Sequence, residues 1–124
     1  MSVTTIELKA RDQRSGSFQA TAIVIYAHRA YNKIMSIEFD PAKDEVNRQK
    51  HGVSLAEGDG VLNDPLALTI EDERVEGEQR FVSLGMNIFD CLMVVVWTPR
   101  RTNCRLISVR KAEPRERRNY EEGI

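Results

Sequence analysis

Residues 79–111 read QRFVSLGMNIFDCLMVVVWTPRRTNCRLISVRK, and this stretch decides the fold. Gln79–Met86 carries Phe81, Val82 and Leu84. Cys91–Thr98 is a near-continuous apolar run with three consecutive valines, the pattern of a central strand buried on both faces. Cys104–Lys111 sets Leu106, Ile107 and Val109 between polar residues. The intervening Asn87–Asp90 and Pro99–Asn103 are short and turn-like. Just upstream, Leu66–Glu71 alternates around Thr69 and Ile70 and supplies a fourth strand, with Asp72–Glu78 as the turn that follows it. The simplest topology for the four is an antiparallel meander.

Before the meander, Ile37–Phe39 is a short strand candidate. Asp40-Pro41 then gives an N-cap followed by proline at the first helical position. That helix runs through Lys50 and stops at His51-Gly52, where glycine suits a left-handed cap. Ser54-Leu55-Ala56-Glu57 is a capping box opening a second helix, which Gly58 and Gly60 weaken by about 1 kcal/mol each relative to alanine. Asn63-Asp64-Pro65 ends it. After the meander, Glu113-Pro114 opens a last helix to about Glu122. The expectation is an α+β domain ordered strand, two helices, four strands, helix.

Residues 1–34 read differently. Ser2–Ser17 is polar and loop-like, and Phe18–Tyr26 is a strand candidate with no evident hairpin partner after it. The division expected is a peripheral extension over 1–34, misannotated or disordered, and a domain over 35–124, with Met35 as an in-frame alternative start. Permitted codons for Tyr26-Ala27-His28-Arg29-Ala30-Tyr31 include an inverted repeat, as a translated operator would. The competing reading is a genuine strand that adds Phe18–Tyr26 to the sheet edge by main-chain pairing.

At 124 residues with 41% hydrophobic and 30% charged residues, the chain has the size and composition of one globular domain. No apolar run approaches the roughly 18 residues that span a bilayer. Cys91 and Cys104 have no metal-type spacing and are expected to be free thiols, so a cytoplasmic setting without cofactor or metal is the default. The net charge of −1 hides a polarisation. Met35–Glu78 holds twelve acidic residues against four basic ones, whereas Pro99–Arg118 holds eight arginines and lysines against Glu113 and Glu116. Such asymmetry suits a polyanion-binding end, or two solvated faces.

The common catalytic patterns are absent: no Walker loop, no G-x-S-x-G, no H-E-x-x-H. His28 and His51 are the only histidines. Asp64, Glu71, Asp72 and Glu73 invite a Mg²⁺ cage, but they sit in turn and loop positions where carboxylates are common anyway. What remains is a set of arginines: Arg80 opening a strand, Arg105 and Arg110 flanking another, and Arg117 and Arg118 around Tyr120 on the last helix. Guanidinium matches phosphate with a planar fork of donors, and fixed guanidinium groups stabilise the charge that develops during phosphodiester cleavage. RNA supplies its own nucleophile, the 2′-hydroxyl. A single arginine is better explained by a surface salt bridge; the group with Tyr120 points to nucleic acid. A binding module without catalysis fits the same charges. A DNA-binding regulator fits less well, because no helix-turn-helix appears.

The sequence resembles the BrnT toxin family. The resemblance rests on Ile37-Glu38-Phe39-Asp40-Pro41-Ala42-Lys43, Asn47-Arg48-Gln49-Lys50-His51-Gly52-Val53-Ser54, Asn63-Asp64-Pro65-Leu66, Gln79-Arg80-Phe81-Val82-Ser83-Leu84-Gly85, Arg105-Leu106-Ile107-Ser108-Val109-Arg110-Lys111-Ala112 and Arg115-Glu116-Arg117-Arg118-Asn119-Tyr120-Glu121. It implies a RelE-like sheet and a ribonuclease that inhibits translation by cleaving RNA without metal. It also implies a BrnA-like ribbon-helix-helix antitoxin as partner, in a 2:2 complex that reaches operator DNA through the antitoxin. Gly58 and Gly60 depart from the family's usual helix formers.

Within the matched region the expected catalytic group is Lys50, His51, Arg80, Arg110 and Tyr120, with Arg105, Arg117 and Arg118 binding RNA. His51 is the one imidazole available as acid or base, unless it only caps the helix beside Gly52. Lys50 neutralises phosphate or complements the helix dipole. Arg80 and Arg110 stabilise the transition state. Tyr120 stacks or donates a proton, unless it anchors the last helix. Trp97 reads as core packing, and the turn residues Arg100 and Arg101 as dispensable.

Overall fold

The computed structural model describes residues 3–10, 18–26, 36–73 and 77–123. His28, Met35 and most of Tyr26–Tyr31 lie outside them. In chain order the elements are β1 (Val3–Ala10), β2 (Phe18–Tyr26), β3 (Ser36–Glu38), α1 (Pro41–His51), two 3₁₀ turns (Leu55–Gly58 and Val61–Asn63), β4 (Leu68–Glu71), β5 (Phe81–Met86), β6 (Leu92–Arg100), β7 (Asn103–Lys111) and α2 (Pro114–Glu122).

The four-strand meander is present, but it is not the whole sheet. Strands β4 to β7 pair antiparallel in sequence order. The short β3 adds to the far side of β7 in parallel, so the sheet is mixed and five-stranded, ordered β3-β7-β6-β5-β4. The polar Val3–Ala10 is also a strand, and it supplies the partner that β2 lacked: the two form a separate antiparallel ribbon. Phe18–Tyr26 therefore pairs with the segment before it, not with the edge of the main sheet. Sequence reading missed β1, although Ile6, Leu8 and Ala10 alternate with Thr5, Glu7 and Lys9, because it weighed the segment's overall polarity and not its two-residue period.

Each face of the sheet carries its own core. On one face Val95, Trp97, Leu106 and Val109 pack with Leu55, Val61 and Leu62 from the 3₁₀ turns. On the other, Ile70, Val82, Leu84 and Val94 form a second cluster, against which Tyr120 of α2 packs. Trp97 is core: it is buried, stacks on Phe81 at 4.8 Å and donates its indole N–H to Ser83 Oγ at 2.8 Å. Burial pushes the Cys104 thiol up to about 11, as expected of an inert core cysteine, and both cysteines are free.

Helix α1 begins where its cap signals say. Asp40 accepts the Ala42 N–H at 2.9 Å, and Gly52 closes the other end at φ 75 with its N–H on the Arg48 carbonyl at 2.8 Å. One buried side chain locks this helix to the sheet. Asn47 donates to the Val53 and Val109 carbonyls at 2.9 and 2.8 Å and accepts the Val109 N–H at 3.1 Å. Its amide thus does for Val109 what a neighbouring strand would do, beyond the point where β3 stops pairing.

The second helix is not an α-helix. The capping box at Ser54 and Glu57 forms, but the segment closes after one 3₁₀ turn and resumes as another. Two glycines give the physical reason. A Cβ at Gly58 would lie 2.9 Å from Val109 Cγ2, so the turn presses its backbone onto the core; Gly60 sits at φ +91, which no helical residue adopts. Among the described residues no helix is long and apolar enough to cross a membrane.

Candidate RNA-binding and catalytic face

Strict alternation would place Arg105 and Arg110, five residues apart, on opposite faces of β7. They share a face because β7 carries one extra residue. Val96 pairs with Ser108 but Trp97 pairs with Leu106, so Ile107 is bulged out and the alternation resets. Arg110, Ser108 and Arg105 therefore stand on the α2 side of the sheet. Arg80, next to the inward Phe81 and level with Thr98 and Arg105, stands there too. The bulge, invisible in the sequence, gathers the arginines.

It does not bring them to one point. From the strand registers, Arg80 and Arg110 are separated by about 10 Å across the sheet and about 13 Å along it. Their side chains turn to different partners. Arg110 makes a two-pronged pair with Glu116, Nη1 to Oε1 at 2.8 Å and Nη2 to Oε2 at 2.7 Å, and Nη1 also donates to the Lys111 carbonyl at 3.1 Å. Glu116 is fully buried and accepts in addition the Glu113 N–H at 2.7 Å, closing the cap of α2. Helix α2 and β7 are thereby joined through the guanidinium. Arg80 Nε lies 3.2 Å from Glu78 Oε2, and the other Glu78 oxygen lies 3.1 Å from Arg100 Nη2. Arg105 faces Glu38 of β3 at 3.8 Å.

His51 is carried by α1, at the edge of β7 that Asn47 covers. It stands one helical turn after Asn47, which is bonded to Val109, so it lies beside the end of β7. Partial burial holds its imidazole below the usual pKa of 6.5, and the positive charges of Lys50 and Arg110 lower it further. Lys50, the preceding residue, is exposed. Lys50 and Arg110 are thus the cations whose charge reaches His51, and Arg110 is held in place by a buried carboxylate.

Tyr120 is placed differently. Its hydroxyl donates to Asp64 Oδ2 at 2.7 Å, and burial together with that carboxylate raises its pKa. Asp64 also accepts the Met86 and Leu66 N–H groups at 2.8 and 2.9 Å. The phenol ties α2 to the loop before β4, with its proton committed. Asp64 stands at the Leu68 end of β4 and Glu71 at the other, so the four carboxylates weighed as a metal cage do not converge. Arg117 and Arg118 are exposed on α2. Sequence reasoning missed Glu78, Glu116 and Arg100. Glu113 and Glu116 stand three apart at a proline-led helix start, a visible capping signal, but nothing in the sequence shows that Arg110 would fill the same carboxylate.

The family described as "Ribonuclease toxin, BrnT, of type II toxin-antitoxin system" matches residues 39–116, well over half of the chain. The chain belongs to the BrnT family. Lys50, His51, Arg80, Arg105 and Arg110 fall inside the matched segment, and Arg117, Arg118 and Tyr120 fall beyond it. Among solved structures, the ribonuclease toxin BrnT of Brucella abortus is similar at 23% identity with a TM-score of 0.49, over 64% of this chain and 97% of that one. No curated protein sequence matches the chain. As a BrnT toxin the protein is one half of a type II toxin–antitoxin pair and is classed with ribonucleases.

Proposed function

We propose that this BrnT chain is a metal-independent endoribonuclease of the cytoplasm that inhibits translation, and that its chemistry lies with Lys50, His51 and Arg110. The observation that carries the reading is an imidazole held below its usual pKa in part by a guanidinium that a buried carboxylate fixes in place. A neutral His51 takes the proton of the 2′-hydroxyl. The 2′-oxygen then attacks phosphorus, the bond to the 5′-oxygen breaks, and that oxygen takes a proton from water, leaving a 2′,3′-cyclic phosphate. Charge that accumulates on the phosphoryl oxygens meets Arg110, which Glu116 holds in place before substrate arrives, and the exposed ammonium of Lys50. Arg80 and Arg105, more than 10 Å away by the strand spacing, hold the RNA backbone beside the scissile bond. Arg117 and Arg118 extend the same cationic surface along α2.

A BrnA-like ribbon-helix-helix antitoxin in a 2:2 complex would silence the enzyme by covering this face, its acidic or apolar groups competing with RNA phosphate, and would carry the toxin to operator DNA. The test is cleavage of RNA by purified protein with and without chelator. The expected result is unchanged cutting in EDTA and a cyclic phosphate end. Cutting that stops in EDTA and returns with Mg²⁺ overturns the mechanism, and no cutting at all leaves a binding module.

A further inference from the structure

Three carboxylates face the arginines of the sheet, and burial divides them. Glu116 is 0% exposed and cannot leave Arg110 without stranding a buried charge, whereas the Glu78 side chain is 34% exposed. The pair of Glu78 with Arg100 is exposed and that with Arg80 part-buried, and ion pairs open to water are weak and exchange with solvent ions. The Glu78 carboxylate is shared: one oxygen is 3.2 Å from Arg80 Nε and the other 3.1 Å from Arg100 Nη2. The two guanidinium groups come from neighbouring strands on one face, and the backbone around them is pinned. Thr98 donates to the Gln79 carbonyl at 2.7 Å and the Asp72 N–H to the Arg80 carbonyl at 2.8 Å. Two oxygens offered to two neighbouring guanidinium groups are what the non-bridging oxygens of a phosphodiester also present.

We propose that Arg80 and Arg100 form a phosphate subsite for the backbone of single-stranded RNA, and that Glu78 occupies it in the free protein and is displaced by a phosphodiester of the bound strand. The proposal rests on the ribonuclease reading for its ligand. It adds that Arg100 belongs to the binding surface, that Glu78 is an internal competitor of RNA, and that the phosphate held is not the scissile one, since Arg110 is about 13 Å further along the sheet.

The test uses the full chain and a 2′-O-methyl RNA oligonucleotide, which cannot be cut. Glu78→Gln removes the competing charge and is expected to tighten binding about three- to tenfold. The dependence of log K on log salt should steepen by about 0.7 for each guanidinium group freed to meet a phosphate. Arg100→Ala should weaken binding, and the double variant E78Q/R100A should lose most of the gain. Binding by E78Q that is unchanged or weaker overturns the subsite. So does an E78Q variant that binds the antitoxin more tightly and RNA no better, because the arginines would then serve an acidic peptide. Wild-type protein that binds the methylated strand but fails to cut ordinary RNA sinks the catalytic reading and leaves the subsite standing. Wild-type protein that binds no RNA overturns both.

Discussion

At the scale of single residues, the chemistry depends on which charges compensate which. His51 has a pKa below 6.5 in the fold, from partial burial and the charges of Lys50 and Arg110. In the unfolded chain it returns to its ordinary value, so the unfolded state binds more protons below about pH 6.5 and stability falls as the pH drops through that range. The activity has the same sign. A neutral imidazole acting as base gives kcat/KM an acid limb with an apparent pKa below 6.5, and His51→Ala should remove that limb and at least a hundredfold of the rate. A pH–rate profile of His51→Ala with its acid limb intact would refute the assignment. If, as proposed, Arg110 and Arg80 meet different phosphates, they should separate in kinetics. Arg110→Lys keeps a counter-charge for buried Glu116 and should lose mainly kcat; Arg80→Ala should lose mainly KM. Arg110→Ala is the poorer probe, since it strands Glu116 at a cost of about 3–5 kcal/mol. The residue types were legible in the sequence: phosphate-matching arginines, one histidine at a helix end, a tyrosine on the last helix. Their pairings were not, because Glu116 is 6 positions from Arg110 and Asp64 is 56 from Tyr120, and only the packed elements decide such contacts. The turn arginines expected to be dispensable also part company. Arg101, exposed at φ 54, should stay silent, whereas Arg100 shares Glu78 with Arg80.

At the scale of elements, the strong local signals held and the failures each have a cause. Asp40-Pro41 and Gly52 bound α1 as their chemistry requires, and the valine run of β6 is a central strand. The second helix became two 3₁₀ turns because Gly58 must let the chain rest on Val109 and Leu106. Gly58→Ala is accordingly an overpacking mutation, not a helix-stabilising one. The sequence shows β3 as a strand but not its parallel place beside β7, since three residues carry no register information. The bulge at Ile107, which decides where Arg105 points, has no sequence mark at all. The most exposed dependence is the use of one amide as a strand substitute. Asn47→Ala leaves the Val109 N–H and carbonyl at the sheet edge without their partner, and should cost about 1–3 kcal/mol. The same change loosens the helix that carries His51, so activity should fall beyond the loss of folded protein. Urea unfolding of Asn47→Ala against wild type, with cleavage measured well below the transition, checks both parts. An unchanged midpoint would show that water replaces the amide without loss.

At the scale of the whole molecule, the polarised charge of the sequence becomes a geometry. The basic segment is the β6–β7 turn, β7 and α2, which run the length of the sheet, and the acidic segment supplies α1, the 3₁₀ turns and β4. The BrnT match over 39–116 lies entirely within this body. The ribbon of β1 and β2 does not enter the five-stranded sheet; its ladder is complete within itself, with β2 running beside β4. The sheet and the α1, 3₁₀ and α2 elements that pack on it come from residues 36–122. We therefore propose that residues 1–34 are dispensable for folding, RNA cleavage and antitoxin binding. A chain expressed from Met35 should fold cooperatively and cut RNA at the full-length rate. Losing a ribbon that only lies alongside β4 should cost about 1 kcal/mol, a fall in Tm of about 4–8 °C for a domain of this size. A mechanism in which the ribbon is an integral layer predicts something else. Ile70 and Val82, buried on the side of the sheet away from the 3₁₀ turns, would be uncovered, and the truncated chain would aggregate or lose its thermal transition. Thermal melts and cleavage assays on the two forms decide between these. A truncated chain with no cooperative melt would make the N-terminal ribbon part of this toxin's core.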